Sequence, residues 1–331
     1  MTRSFEVGLG IRSDHPFGEY GRIAVAAEEA GIDVLSVFAD LWFQPALPAL
    51  LEIAGATRRV RLGAACWNPY SSHPYELAGQ MAALSIASQG RAYFGLAKGT
   101  WLGDVSIPQP RAIAHLRECV DVVRLLLSGD RSGYEGEIYQ VAAGVGFRVP
   151  LPEILPPVLI GTWGRQTMAM ASKVADEVKI GGSANPDMVR VVREWLAAGS
   201  PARGDAVGVV VGAVTVVDED GEAARAVARR EVAMYLAVVG ELDVTVDIPQ
   251  DLLSEVTTLV RADDHDAAGA LIPDDLLDRF AFAGTPDHIA QQLHALGEAG
   301  VRRVEFGGPL GTGDPLAALD LIGRRVLPAF A

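Results

Sequence analysis

A repeated order of short strand and longer helix is the feature that most constrains this chain. Eight such units follow one another. Because each helix returns the chain so that the next strand runs in the same direction, the repeat builds a parallel sheet covered by helices. Eight units close a (β/α)8 TIM barrel, whereas the competing doubly wound sheet would carry a GxGxxG turn after its first strand. That turn is missing from the sequence. The predicted strands are 5–11, 34–38, 60–65, 92–96, 158–160, 178–180, 207–217 and 303–306, and the predicted helices outside the insertions are 21–30, 45–56, 74–87, 111–127, 164–175, 186–198, one from the Thr285 cap to 298, and 316–327.

Two segments interrupt the repeat. Residues 133–157 are rich in proline and glycine, and residues 221–280 carry helical patterns without a clear strand. A barrel of this type needs about 250 residues. The chain has 331 residues, so there is room for both segments. We therefore predict an α/β fold with one domain over residues 1–331, a TIM barrel with two insertions at 133–157 and 221–280.

The charge balance excludes several classes of partner. The chain has 28 basic and 42 acidic residues, which gives a formal net charge of −14. A nucleic-acid binder needs cations to replace phosphate counterions, and an anionic membrane surface would repel this chain. No run approaches the ~20 apolar residues of a membrane span, and the N-terminus lacks the apolar run of a signal peptide. We expect a cytoplasmic protein and, since the six histidines and two cysteines show no ligand spacing, no metal site.

The chemistry of a TIM barrel lies at the C-terminal ends of its strands, so those ends carry the candidate residues. Asp40 follows the second strand and precedes Trp42. This pair suits a substrate or a flat ring, although a helix cap and a rim tryptophan would have the same sequence. Lys98, one of three lysines, follows the fourth strand. It suits an anion or carbonyl partner but is also compatible with an ordinary surface lysine.

The end of the third strand is dense in polar and aromatic residues. Cys66, Trp67, Asn68 and His73 fall within eight residues of one another. Small residues just before them would let a ligand approach the backbone. The alternative is a proline-rich loop in which Ser72 caps the next helix. We interpret Cys66 as a small buried hydrophobic residue and His73 as a structural cap rather than a catalyst.

Glycine-rich turns follow three other strands and lead towards helices. They span residues 161–166, 181–186 and 307–311. Free backbone N–H groups at a helix N-terminus suit a phosphate or carboxylate, although every strand-to-helix turn favours glycine. Together with the aromatic residues, the turns indicate a site for a flat, phosphate-bearing cofactor.

At these residues the sequence resembles the luciferase-like oxidoreductase superfamily, whose members are (β/α)8 barrels that use a flavin or the deazaflavin coenzyme F420. The branch it resembles most is that of the methylenetetrahydromethanopterin reductases. The resemblance covers nearly the whole chain, and it is carried by segments 68–70, 88–92 with 95–99, 157–161 with 175–177, and 284–286 with 299–301.

The resemblance implies a non-prolyl cis peptide bond at Ala65–Cys66, in a bulge that supports the back of the deazaflavin ring. It also implies that residues after strands two to four lie near the ring, and that those after strands five and six meet the ribityl-phosphate end. The implied cofactor-binding residues are Asp40, Ala65, Cys66, Trp67, Asn68, Lys98, Gly99, Thr100, Gly161, Thr162, Trp163, Gly164, Gly181, Gly182 and Ser183. Since coenzyme F420 is polyanionic, an acidic chain must hold it with backbone donors and a few cations such as Lys98, Arg165 and Lys179.

Departures from the family pattern affect the substrate. An Asp-His pair common after strand two is Asp40-Leu41 here. The tetrahydromethanopterin reductases carry acids where this chain has Gly10 and Thr100, which argues against methylenetetrahydromethanopterin as substrate.

The resemblance therefore implies an F420-dependent reductase. We expect hydride transfer between the deazaflavin and an electron-poor C=C or C=N bond of a secondary metabolite or modified peptide. Asp40 and Lys98 are the candidates for orienting or protonating the substrate, and solvent is an equally good proton source. The alternatives are an FMN-dependent luciferase-like monooxygenase and a non-catalytic flavin-binding barrel. On family grounds we also expect a homodimer.

Overall fold

The computed structural model describes residues 3–330, so residues 1, 2 and 331 of the predicted domain lie outside the described part. Within it, eight parallel strands are hydrogen-bonded in the order β3-β2-β1-β11-β9-β8-β7-β4. β3 and β4 approach through two isolated bridges, Leu62 to Ala92 and Trp67 to Leu96, which bring the ring close to closure. The fold is a TIM barrel, as predicted, and not a doubly wound sheet. The strands are β1 (Glu6–Ile11), β2 (Val34–Val37), β3 (Arg61–Ala64), β4 (Phe94–Ala97), β5 (Tyr134–Glu135), β6 (Gln140–Val141), β7 (Val158–Gly161), β8 (Glu177–Gly181), β9 (Gly208–Val217), β10 (Ala281–Gly284) and β11 (Arg303–Leu310).

The helices pack outside the ring, and several begin and end where the sequence indicates. Gly31 ends α1 in the left-handed conformation with φ of 93°, and the Thr285 hydroxyl accepts a hydrogen bond from the backbone of His288 at the start of α11. The final helix is shorter than predicted, because α12 ends at Leu321 and is followed by a π-helical turn and then a 3-10 turn. The helices are α1 (Glu19–Ala30), α2 (Ala46–Ala56), α3 (Pro74–Ala87), α4 (Ala112–Leu127), α5 (Arg165–Val174), α6 (Pro186–Gly199), α7 (Gly221–Val239), α8 (Gln250–Arg261), α9 (His265–Ala270), α10 (Asp274–Phe280), α11 (Pro286–Glu298) and α12 (Pro315–Leu321).

Two strands of the barrel sheet differ from the sequence prediction, and the short strands β5 and β6 outside it were not predicted either. β10 was not predicted; it follows α10 directly and pairs in parallel with the C-terminal half of β9. The third glycine-rich turn, predicted after strand eight, is instead part of β11, which continues past a bulge through a cis Gly308–Pro309 bond to Leu310. Gly307 and Gly308 therefore belong to a strand, and only Gly311 follows it, so the segment is not an anion-binding turn.

The interior of the barrel is filled by a few large side chains that lie opposite glycines. A Cβ atom at Gly63 would lie 2.8 Å from the Tyr93 ring, and one at Gly8 would lie 2.8 Å from Cγ of Glu305. At Gly10 a Cβ atom would lie 2.8 Å from the ring of Phe38. Because the interior is closely packed, it has no room for both a side chain at these glycines and the large side chain opposite. The missing side chain at Gly10 is thus compensated by an aromatic ring from β2's end.

The two segments predicted as insertions have different contents. Residues 133–157 contain the antiparallel β5–β6 hairpin. The buried Glu118 carboxylate on α4 accepts backbone N–H groups of residues 137, 138 and 139 at 3.1, 2.9 and 3.2 Å, which fixes the hairpin tip. Residues 221–280 contain α7 to α10, which form a separate apolar cluster against β9 and β10. That the chain is one domain with these two segments as insertions remains a prediction.

Candidate active site

The candidate residues gather at one end of the barrel. Asp40 follows β2, the segment from Ala65 follows β3, Lys98 follows β4, and the glycine turns follow β7 and β8. Because the ring strands are parallel, their C-terminal ends form one mouth. The predicted segments after these five strands therefore lie at one end of the barrel, and their role in a site stays a prediction.

The floor of the mouth at β3 is a bulge with a cis Ala65–Cys66 bond, as the family resemblance implies. The bulge is held from both sides, because Ala65 N–H donates to the Val37 carbonyl at 2.8 Å and Trp67 N–H donates to the Gly95 carbonyl at 3.0 Å. The Cys66 thiol faces β7, where a Cβ atom at Gly161 would lie 3.1 Å from its sulfur. Burial raises the pKa of the Cys66 thiol to about 12, so it stays neutral.

Asp40 is a partly buried carboxyl at the rim of β2. Burial raises its pKa to about 6, and the positive charge of Lys179 opposes that shift. Tyr235 on α7 lies over the same region, and the pKa of its phenol is raised to about 12, by burial first and by the Asp40 charge second. A carboxyl that changes protonation near neutral pH can hold or release one proton during a reaction.

Lys179 supplies the cation next to Asp40, and the structure anchors it inside the barrel. Its ammonium forms an ion pair with Glu305, and the two side chains are 11% and 2% exposed. Glu305 also accepts hydrogen bonds from the Ser36 hydroxyl at 2.8 Å and from Nε of Arg303 at 3.0 Å. These positive neighbours outweigh burial and lower the pKa of Glu305 to about 2. Glu305 is therefore a carboxylate throughout the working pH range.

The same network continues to the opposite end of the barrel. Arg303 donates to both oxygens of Glu177 at 2.8 and 3.1 Å, and Arg61 bridges Glu177 and Glu6 at 3.4 and 2.7 Å. Charges thus alternate in sign from the mouth to the base. Sequence reasoning missed this network, although Arg303 and Glu305 alternate with apolar residues in a predicted strand and so share one face.

The two predicted anion-binding turns differ in their free donors. Helix α5 starts at Arg165, and its N-cap residue, Gly164, provides no side-chain cap. The N–H groups of residues 165, 166 and 167 have no acceptor within residues 3–330. At the other turn, the N–H groups of Gly182 and Ser183 both donate to the Gly212 carbonyl, at 2.6 and 3.0 Å, and Asn185 caps α6. The expectation of free donors therefore holds for the turn after β7 and is wrong for the turn after β8.

Comparison with known proteins identifies the family of this chain. The model of the family described as luciferase-like monooxygenase matches residues 3–303. The chain belongs to the luciferase-like monooxygenase family. It is 27% identical to 5,10-methylenetetrahydromethanopterin reductase of Archaeoglobus fulgidus over 97% of this chain and 98% of that protein. It is 28% identical to a putative coenzyme F420-dependent oxidoreductase of Mycobacterium tuberculosis over 91% of this chain and 94% of that protein.

The fold of this luciferase-like chain agrees with that of a solved structure. The coenzyme F420-dependent tetrahydromethanopterin reductase of Methanopyrus kandleri superposes with a TM-score of 0.90, at 23% identity, over 99% of both chains. At that identity the likeness shows the shared barrel architecture and leaves the substrate open.

Other residues predicted for the site have structural partners. The Asn68 side chain accepts N–H groups of residues 70 and 71 at 3.1 and 2.8 Å, so it shapes the loop after the bulge. Trp67 is buried against Phe94, with ring centroids 6.0 Å apart. His73 caps α3 by accepting the N–H of Tyr75 at 3.1 Å; His73, not Ser72, is the cap.

The loop after β4 is held through its backbone. Gln109 donates to the carbonyls of Lys98 and Gly99 at 2.5 and 2.9 Å, and Thr100 is exposed. The exposed side chain of Lys98 has no ion pair within residues 3–330. Trp101 in this loop stacks on Trp42 of the β2 loop, with centroids 4.3 Å apart, and so spans the end of β3.

Across residues 3–330 there is no cluster of three or more His, Cys, Asp or Glu side chains that could hold a metal ion. In the same range no helix is long and apolar enough to cross a membrane.

Proposed function

We propose that this chain is a coenzyme F420-dependent oxidoreductase. It transfers hydride between the deazaflavin and an electron-poor C=C or C=N bond of a secondary metabolite or modified peptide. The relatives named above support an F420-linked oxidoreductase. The observation that carries the proposal is the mouth itself, in which the small residues Ala65 and Cys66 lie beside an uncapped helix N-terminus.

The residues present fit a deazaflavin. Ala65 and Cys66 offer a neutral floor of small side chains, and Gly161 lets the thiol pack against β7, because a Cβ atom there would lie 3.1 Å from the sulfur. The uncapped N–H groups of α5, with Thr162, Trp163 and Gly164, would hold the ribityl-phosphate end. Lys98 and Gly99 would contact the cofactor from the β4 side. Gly181, Gly182 and Ser183 would contribute shape only, since the N–H groups of Gly182 and Ser183 already bond to Gly212.

When bound, the deazaflavin supplies or accepts a hydride. The protein orients the substrate and excludes water, while Asp40 holds or releases a proton at its carboxyl oxygen. We therefore assign the acid–base role to Asp40. Lys98, on the exposed rim, is assigned to the cofactor's anionic tail.

Cofactor titration tests the proposal. Purified protein is titrated with coenzyme F420 and, separately, with FMN, and binding is followed by quenching of the chromophore's fluorescence. We expect saturable binding of F420 and no competition by FMN. Tight binding of FMN with indifference to F420 would replace the proposal by an FMN-dependent monooxygenase, the activity that the family's name describes. Binding of F420 without hydride transfer to any acceptor tested would favour a non-catalytic barrel.

A substitution at Gly164 refines the same titration. Gly164→Val keeps the extended backbone at the start of α5 and the N–H that donates to the Thr162 hydroxyl at 3.1 Å, but adds bulk where the anionic end would lie. We expect it to weaken F420 binding at least tenfold, while Gly103→Ala, which meets no atom within 4 Å, leaves binding unchanged. We also propose that the chain forms a homodimer, which analytical sedimentation of the purified protein tests.

A further inference from the structure

The Lys179 ammonium keeps two hydrogen-bond donors that the protein does not use. An ammonium carries three N–H groups. Among residues 3–330 its one acceptor residue is Glu305, and otherwise it faces the Phe38 ring with its nitrogen 6.0 Å from the centroid. The side chain is 11% exposed. A buried cation normally finds acceptors for its protons, so the free donors indicate a ligand that accepts them.

The position of this ammonium is fixed by a built environment. One oxygen of Glu305 bonds to Ser36 and Arg303, which leaves the other oxygen for Lys179. Gly212 on β9 makes room for the stem, because a Cβ atom there would lie 3.2 Å from Cε of Lys179. The carboxylate cannot turn away without breaking its other bonds. The cation is therefore preorganised before any substrate arrives.

Lys179 also lies next to the proton-carrying group and the bulge. Its charge acts on the carboxyl of Asp40 and on the thiol of Cys66, which follow β2 and β3 at the mouth. Lys98, in contrast, is exposed. Water screens an exposed charge far more than a mostly buried one. Of the two lysines, Lys179 is the one that can stabilise a negative charge as it develops on a substrate.

We propose that Lys179 is the oxyanion-binding residue of this site and that the substrate is an α,β-unsaturated carbonyl compound. This inference rests on the proposed function for its hydride donor, a reduced deazaflavin. Hydride forms a new C–H bond at the β-carbon. The C=C π pair then forms a double bond between the α-carbon and the carbonyl carbon, and the C=O π pair moves onto the oxygen to give an enolate. Lys179 donates hydrogen bonds to that oxygen. The proton of Asp40 then forms a C–H bond at the α-carbon, and the C=O bond is restored.

A phenolate probe tests the oxyanion site without any cofactor. The chain is titrated with para-nitrophenol, a planar analogue whose phenolate absorbs differently from the neutral phenol. We expect the phenolate to bind to the wild-type chain at least tenfold more tightly than the phenol, and Lys179→Met to remove that preference. Lys173→Met is the matched control, since Lys173 lies exposed on α5 away from the mouth, and it should behave like the wild type.

Two further variants keep the test decisive if Lys179→Met unfolds. Lys179→Met combined with Glu305→Gln removes both charges of the pair, and Lys179→Arg keeps the positive charge. The double variant should lose phenolate preference, and Lys179→Arg should retain part of it. Equal affinity for phenolate and phenol in the wild type, or an unchanged preference in a folded Lys179→Met or double variant, overturns the proposal. Because the probe needs no cofactor, failure to bind F420 would overturn the proposed function separately.

Discussion

The partly buried Asp40 is expected to destabilise the fold at neutral pH, and its replacement by asparagine makes this measurable. Its pKa is raised from 3.8 to about 6 by burial. Between these values the folded chain binds a proton more tightly than the unfolded chain does, so this carboxyl makes stability fall as pH rises. Its penalty is absent below about pH 4 and complete above about pH 6. Asp40→Asn removes the charge and with it the penalty.

The magnitude follows from the size of the shift. Each pKa unit corresponds to about 1.4 kcal/mol, so a shift of about two units sets an upper limit of about 3 kcal/mol. Because Asp40 is partly exposed, solvent screening reduces this to about 1–2 kcal/mol. Unfolding entropy of ~2.1 cal/mol/K per residue gives about 0.7 kcal/mol/K for a chain of this length. Asp40→Asn should therefore raise Tm by about 1.5–3 °C at pH 7.5.

Thermal unfolding of wild type and variant at pH 4 and at pH 7.5 provides the assay. The increase in Tm should be present at pH 7.5 and absent at pH 4, while turnover falls because the proton-carrying group is lost. Asp104→Asn, on an exposed turn, controls for the loss of one negative charge and should leave Tm unchanged at both pH values. An Asp40→Asn effect of equal size at both pH values, or a decrease at pH 7.5, would refute the argument.

Two further predictions concern the packing of the barrel and of the hairpin. Gly95→Ala places a Cβ atom 2.0 Å from the Ala64 carbonyl oxygen, so we expect urea unfolding to show a free energy of unfolding lower by more than about 3 kcal/mol. In the control Gly55→Ala, the new Cβ atom has no atom within 4 Å, and the free energy of unfolding should rise by about 0.5–1 kcal/mol because alanine favours a helix. Glu118→Gln removes the carboxylate that accepts three N–H groups at the tip of the β5–β6 hairpin; hydrogen exchange of residues 137–139 should quicken at least tenfold while exchange in β9 stays unchanged.

The sequence determined the positions of most strands and helices because their signals are local. α3 spans Pro74–Ala87 as predicted, since a proline marks its first turn and an apolar pattern sustains it. β10 escaped prediction because Ala281–Gly284 is short and follows α10 without a turn residue. Such a strand is stabilised by its pairing with β9, which is a tertiary contact.

The site was predictable by location and much less by role. The mouth follows from barrel topology, and the bulge at Ala65–Cys66 follows from family resemblance. In sequence, Arg303 and Glu305 alternate with apolar residues, as in a strand with one exposed face. In the structure they are 0% and 2% exposed, because that face of the strand points into the barrel. The Gly182 and Ser183 donors look free in sequence, but an acceptor about thirty residues later, Gly212, occupies them. Both differences arise from contacts between distant segments.

The distribution of charge explains how an acidic chain can hold a polyanionic cofactor. Of the cations near the mouth, Lys179 is paired with Glu305, whereas Lys98 and Arg165 form no ion pair within residues 3–330. Arg165 opens α5, where three N–H groups are free. Both the N–H groups at a helix start and a nearby cation favour an anion at close range, where screening by salt is weakest. In our proposal, the turn after β7 holds the anionic end, and Lys98 and Arg165 assist at the rim. The net charge of −14 elsewhere opposes binding from longer distances, which salt screens.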